Sequence, residues 1–342
     1  MRVLVTGNQG YLGTVMVPEL VRAGHEVTGL DSGFFAECVL GTAPAPPPQL
    51  RVDLRDVTVD QLAGFDAVVH LAALSNDPLG ALTPRITYDI NHTASVRLAR
   101  LAKDAGVQRF LYASTCSVYG AAGSDLVAED APLRPLTPYA ESKVRVEDDV
   151  AALADSGFTP VFLRNATAFG FSPRLRADIV LNNLVGYAVL TGEVKVLSDG
   201  TPWRPLVHAR DIARAFAVCL TAPAPAVHCR AFNVGAETNN LTVAEIAQAV
   251  VAAVPGSRLV ITGESGADPR SYRVDFAAAR RELGFEASWD IPAGAAELAH
   301  EYTARGLTAD GFFHRFTRLA HLTALKDAGV LDDDLRRSRI EA

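Results

Sequence analysis

Cysteine is scarce in this 342-residue chain, and its four copies, Cys38, Cys116, Cys219 and Cys229, are scattered. No CxxC pair or metal-ligand spacing connects them, so no metal site is indicated. Free thiols fit a reducing, cytoplasmic compartment. Long apolar runs are also missing. No stretch approaches the ~18 residues needed to span a bilayer. The opening MRVLVTG enters a strand-like run with none of the charged-then-apolar layout of a signal peptide. Positive charge is in deficit, with 32 Lys and Arg against 39 Asp and Glu and a net charge of -7. Without a basic stripe, nucleic acid is not an expected partner, and neither is a membrane. What is present, 49% hydrophobic and 21% charged residues, is enough to build a soluble domain or two with a sizeable core.

The first half alternates strand and helix. RVLVT (2–6) and EVTGLD (26–31) are apolar runs closed by turn residues. Between them lies a helical pattern that stops at Gly24, with Pro18 expected to kink it or shift its first turn. AVVHLAAL (67–74) and RFLYAST (109–115) read as buried parallel strands, and TPVFLRN (159–165) as another. Helices are expected over 87–105 and 138–154. The order predicts an α/β fold: a doubly wound, Rossmann-type parallel sheet with a smaller mixed α/β unit. We place the sheet domain at 1–172, with part of 203–236 returning to it, the smaller unit at 173–330, and a charged tail, free to fray, at 331–342.

VTGNQGYLG sets Gly7, Gly10 and Gly13 between the first strand and the first helix. In that position the triplet lets a pyrophosphate approach the helix N-terminus, beside Tyr11 and Leu12, where a side chain would block it. Asp31 ends the second strand, where a carboxylate can accept both ribose hydroxyls and would repel a 2′-phosphate. Ser32 and Gly33 add no arginine, so NAD is favoured over NADP. Asp53, followed by Leu54, is placed for the adenine amino group, or is a turn residue. Leu71, Ala72 and Ala73 close the fourth strand with room for a cofactor, while His70 reads as a packed core histidine.

TPYAESK carries Tyr139 and Lys143 at i and i+4, on one helix face. A tyrosine acting as a base near neutral pH must lose about three pH units, or about 4 kcal/mol. An ammonium at ~4 Å in an effective dielectric of ~20 supplies about that much. Upstream, ASTCSVYG leaves Ser114, Thr115, Cys116 and Ser117 on the lip of a strand end.

Together, GxxGxxG, the strand-end Asp, HLAA, the Ser/Thr-rich lip before VYG, YxxxK, NNL, RxxVHxxD and the late DPRSYRVD resemble the extended short-chain dehydrogenase/reductases of the NDP-sugar epimerase/dehydratase group. The resemblance implies an NAD-dependent enzyme whose catalytic set is Thr115, Tyr139 and Lys143, with Ser114, Tyr139 and Lys143 also touching the cofactor. It implies a nucleotide-diphosphate sugar held by Asn183, Leu184, Arg204 and Arg270, with Thr115, Ser117 and Tyr139 at the sugar. Members that dehydrate hexoses carry Asp-Glu after the catalytic Thr. Cys116 and Ser117 stand there instead, which favours reversible redox at C4, a 4-epimerase, over elimination. Cys116 is either an acid/base at an adjacent carbon or a packed small residue. Thr167 stands where a substrate-contacting Asn is usual, and Ser75, Asp77, Arg174 and Arg176 are candidates for reading the sugar or are solvated loop groups. An NDP-sugar 4-ketoreductase, or an epimerase/dehydratase acting at another sugar carbon, is the competing enzyme, and an NAD-sensing regulator the competing non-enzyme. His208 and Asp211 are expected to be structural, with Asp211 capping the next helix. The resemblance also implies a homodimer through the helices at 87–105 and 138–154.

Overall fold

A computed structural model describes residues 1–75, 83–121, 126–264 and 271–337. Two of the site candidates, Asp77 and Arg270, lie outside the described residues. Seven strands form one sheet in the order Arg230–Val234, Thr159–Asn165, Arg109–Thr115, Ala67–His70, Arg2–Thr6, Glu26–Leu30 and Gln49–Leu50. Every pairing in it is parallel. Side chains alternate between the two faces, as strand geometry requires. Val3, Val5, Val69 and Leu111 pack on one side with the helices Tyr11–Arg22 and Ala209–Thr221. Leu4, Val68, Phe110 and Tyr112 pack on the other with Ala94–Asp104 and Pro138–Ala151. Both faces are therefore buried, which is why these strands read as near-continuous apolar runs. His70 is fully buried between Thr6 Oγ1 (2.6 Å) and Ser95 Oγ (2.8 Å). Burial lowers its pKa to about 3, so it is a neutral core histidine.

The edge strand Arg230–Val234 comes from the second half of the chain, and the Ala209–Thr221 helix beside it packs on the Tyr11–Arg22 helix. A separate core is built around Phe169, Leu181, Val185, Leu206, Ile246, Leu298 and Tyr302. It unites the helices Val180–Thr191, Val243–Ala253 and Ile291–Ala304. The last of these helices, and Arg318–Asp327, gave no reading in the sequence.

Three local expectations are corrected. The strand expected over 67–74 stops at His70, which leaves 71–75 as an irregular segment facing the cavity described below. The helix expected over 87–105 begins at Pro84 and contains a π-helical turn at Asp89–Thr93, where Asn91 turns inward to bond the backbone of Leu74. Asp211 does not cap a helix. His208 is the N-cap residue and accepts from Arg210 N, whereas Asp211 accepts from the backbone N–H groups of Ser288 and Trp289 and pairs with Arg214. Three residues earlier, at the cap itself, the imidazole reaches the first turn, and Asp211 is left to hold a distant loop.

Residues 331–337, the described part of the charged end, also differ from a free tail. Leu331 and Leu335 are buried against Leu74, Ile86 and Ile90. Arg337 donates to the carbonyls of Ser32 and Gly33. Two leucines within the charged run supply the apolar anchor that the net charge conceals.

Candidate active site

A cavity of about 560 Å³ opens at the carboxyl ends of the sheet strands, the place where open α/β sheets bind ligands. One wall is the glycine turn. Gly7 has φ +72°, a left-handed conformation that other residues adopt at a cost. A Cβ on Gly13 would lie 2.3 Å from Gly7 O and 2.5 Å from Asn8 Cα. No side chain caps the following helix at Gly10, so the first N–H groups of that helix are left for a ligand. Asp31 lines the same wall, with its carboxylate accepting from Gln9 N (2.9 Å) and Gly33 N (2.7 Å). Burial raises its pKa in spite of those two donors. A cradle that any side chain would fill, beside a buried carboxylate at the strand end, fits the pyrophosphate and ribose of a dinucleotide.

The whole cofactor set named from the sequence lines this cavity. So do the catalytic trio and Ser75, Ser117, Thr167, Asn183 and Arg204 from the substrate set. Asp53 is there too, but Arg55 holds both its oxygens, at 2.9 and 2.7 Å. Three candidates do not reach the cavity. Cys116 is 1% exposed and its Sγ donates to Arg164 O. Burial pushes that thiol well above its usual range, so Cys116 is a packed residue and no acid or base. Leu184 belongs to the second core. Arg174 spends its guanidinium on the backbone carbonyls of Phe35 and Ala36.

Thr115 ends its strand and caps the short turn Cys116–Tyr119, accepting from Ser117 N at 3.1 Å. That cap turns Ser117 toward the cavity and Cys116 away from it, which separates the lip residues. Tyr139 and Lys143 sit on a helix started by Thr137, which accepts from Ala140 N, and by Pro138. Lys143 is 2% exposed and donates to Ala113 O at 2.7 Å. Its Nζ lies 5.7 Å from the Tyr139 ring centroid and 4.5 Å from that of Tyr112. Burial lowers its pKa to about 7, against the pull of Glu147. The ammonium assumed from the sequence is therefore only partly charged at neutral pH in the protein alone.

This has a measurable consequence. Between pH 7 and about 10.5 an unfolded Lys143 binds a proton that the folded one has lost, so stability rises with pH across that window. The slope from this one group is at most about 1.4 kcal/mol per pH unit. Lys143→Met removes it. In denaturant titrations of the cofactor-free protein, the variant is expected to gain on the wild type below pH 7, with the difference shrinking toward pH 10. Parallel curves would contradict a buried, depressed lysine.

Sequence reasoning missed several wall residues. Asp178 lines the cavity and is paired with Arg176, which also donates to Ser75. Despite burial, Arg176 holds the Asp178 carboxyl below its usual range. Phe34, Phe35, Tyr272 and Arg318 also line it. Tyr272 lies within the DPRSYRVD motif without having been singled out, and the others carry no motif, because a loop and a late helix bring them in.

The family model for NAD-dependent epimerases/dehydratases matches residues 3–235. The UDP-glucose 4-epimerase of Mycolicibacterium smegmatis is 30% identical over 310 residues, covering 87% of this chain and 97% of that protein. MoeE5, solved with UDP-glucuronic acid and NAD, is 30% identical with a TM-score of 0.76, over 90% of this chain and all of that one. TunA, an NAD-dependent NDP-hexosamine 5,6-dehydratase, is 25% identical with a TM-score of 0.78, over 89% of this chain and 98% of that one. With its parallel sheet, glycine turn and Thr115–Tyr139–Lys143 wall, the chain belongs to the NAD-dependent epimerase/dehydratase family, enzymes of the extended short-chain dehydrogenase/reductase type.

Proposed function

We propose that this enzyme is a nucleotide-diphosphate-sugar 4-epimerase. One observation carries the choice over dehydration. Among the described residues, each carboxylate lining the cavity is already engaged: Asp31 with two backbone N–H groups, Asp53 with Arg55 and Asp178 with Arg176. None stands after Thr115, where Cys116 and Ser117 offer no base to remove a proton from C5. Bound NAD supplies a hydride acceptor that returns the hydride to the same carbon. The chain's own residues manage the proton. Tyr139 removes it from the sugar hydroxyl and gives it back, and Thr115 orients that hydroxyl. Lys143 contributes positive charge beside the phenol, to the extent that it is protonated. Asn183 and Arg204 hold the nucleotide diphosphate, so that the sugar is free to present either face.

The M. smegmatis relative is named for this reaction, while TunA is named for a dehydration, so the product decides. Purified enzyme incubated with UDP-, GDP- and dTDP-sugars and followed by NMR is expected to form a 4-epimer without added NAD. Loss of water, or stoichiometric NADH consumption, would replace this reading with a dehydratase or a ketoreductase. Thr115→Val is expected to lower kcat about 10- to 100-fold with NAD still bound, measured by turnover and by nucleotide released on denaturation. Unchanged kcat would remove Thr115 from the mechanism.

A further inference from the structure

Arg318 opens the helix Arg318–Asp327, far beyond the segment matched by the family model. It lines the cavity yet is only 3% exposed. Its guanidinium lies 4.1 Å from the Phe35 ring centroid, and Nη2 donates to Arg174 O at 3.3 Å. Nη1 is buried with no hydrogen-bond partner among the described residues. Burial lowers the pKa to about 10, so the group is charged at neutral pH. An uncompensated buried cation is strongly unfavourable. Asp31 and Asp178 are near enough to act on it, but neither bonds it: Asp31 accepts from backbone N–H groups and Asp178 pairs with Arg176. The neighbouring Arg176 and Arg174 bring the guanidinium groups to three against two carboxylates. This corner of the cavity is short of an anion.

Its position says which anion. Phe35, stacked on Arg318, follows Asp31 by four residues and belongs to the loop leaving the ribose-binding carboxylate. Arg174, whose carbonyl Arg318 touches, follows Ser172, and Ser172 Oγ donates to Tyr11 O at 2.9 Å, in the first turn of the glycine-turn helix. Arg318 therefore packs on the loop that leaves the ribose anchor and on a segment that is itself tied to the first turn of the glycine-turn helix. A dinucleotide with its ribose on Asp31 and its pyrophosphate at the glycine turn runs along this wall of the same cavity. We propose that Arg318 binds the NAD pyrophosphate as a second anchor beside the glycine turn. A planar guanidinium offers paired donors to phosphate oxygens, and stacking on Phe35 holds that plane in place.

The proposal rests on NAD as the cofactor and not on which sugar carbon reacts. Arg318→Met keeps the aliphatic stem against Phe35, and Arg318→Lys keeps the charge. For protein stripped of nucleotide, NAD affinity measured by calorimetry is expected to fall about 10- to 100-fold in the Met variant. The Lys variant should recover part of it. Adenosine, which has no phosphate, should bind all three proteins equally, and so should UDP. Unchanged NAD affinity in the Met variant would overturn the proposal. An equal loss for adenosine would also overturn it, by assigning Arg318 to packing. A loss for UDP alone would move the residue to the sugar nucleotide. Should stripping unfold the variants, NAD retained through purification and released on denaturation reads the same equilibrium, and full retention in the Met variant counts against the anchor. A wrong epimerase assignment would change the NMR product and leave these affinities as stated.

Discussion

Tyr139→Phe is expected to lower turnover about 10²- to 10⁴-fold, the range for loss of a positioned general acid/base. The exchange removes a single oxygen. The ring keeps its place on the Pro138–Ala151 helix, one turn before Lys143, and the cavity wall keeps its shape. NAD should therefore co-purify in wild-type amount, while epimer formation in the NMR assay nearly stops. The two readouts separate a lost proton carrier from a damaged fold. Full activity in Tyr139→Phe would refute the proposed base, and the proton would have to move by another group on the same wall.

Gly13→Ala should act through a different cause. The added Cβ would meet Gly7 O at 2.3 Å and Asn8 backbone carbon at 2.5 Å. Main chain cannot rotate away as the end of a flexible side chain can, so the turn must open. Overpacking of this kind costs about 1–3 kcal/mol and sometimes more. Because the displaced atoms form the pyrophosphate cradle, we expect about a 100-fold loss of NAD affinity together with a lower denaturation midpoint. Gly157→Ala is the matched control. Its nearest neighbour would be Asp155 Oδ1 at 3.5 Å, an ordinary contact, and its stability should change by no more than about 0.5 kcal/mol. Equal behaviour of the two variants would show that the turn tolerates a side chain, and the cradle would need another explanation.

The sheet and its helices were legible along the chain because their signals are short-ranged. A run such as RFLYAST buries both faces wherever it lies in a parallel sheet, and the glycine turn needs only a strand before it and a helix after it. Tyr139 and Lys143 were legible for the same reason, since four residues of helix bring them to one face. The helices Ile291–Ala304 and Arg318–Asp327 were not read, although the first closes the second core and the second places Arg318. The charge run at 332–337 hid Leu335, and with it the packing of the chain end against the loop after Asp31.

The sequence by itself determined the Rossmann architecture, the glycine turn and the placing of Tyr139 and Lys143 on one helix face, since each follows from local periodicity and turn chemistry. Tertiary structure alone decided that Ser117 faces the cavity while Cys116 is buried, that Asp53 and Asp178 are held by arginines, and that Arg318 meets the loop after Asp31. The physical reason is distance along the chain. Periodicity and turn chemistry act through neighbouring peptide units, whereas burial, ion pairing and the pKa of Lys143 depend on which remote side chains the packed core brings within a few ångströms.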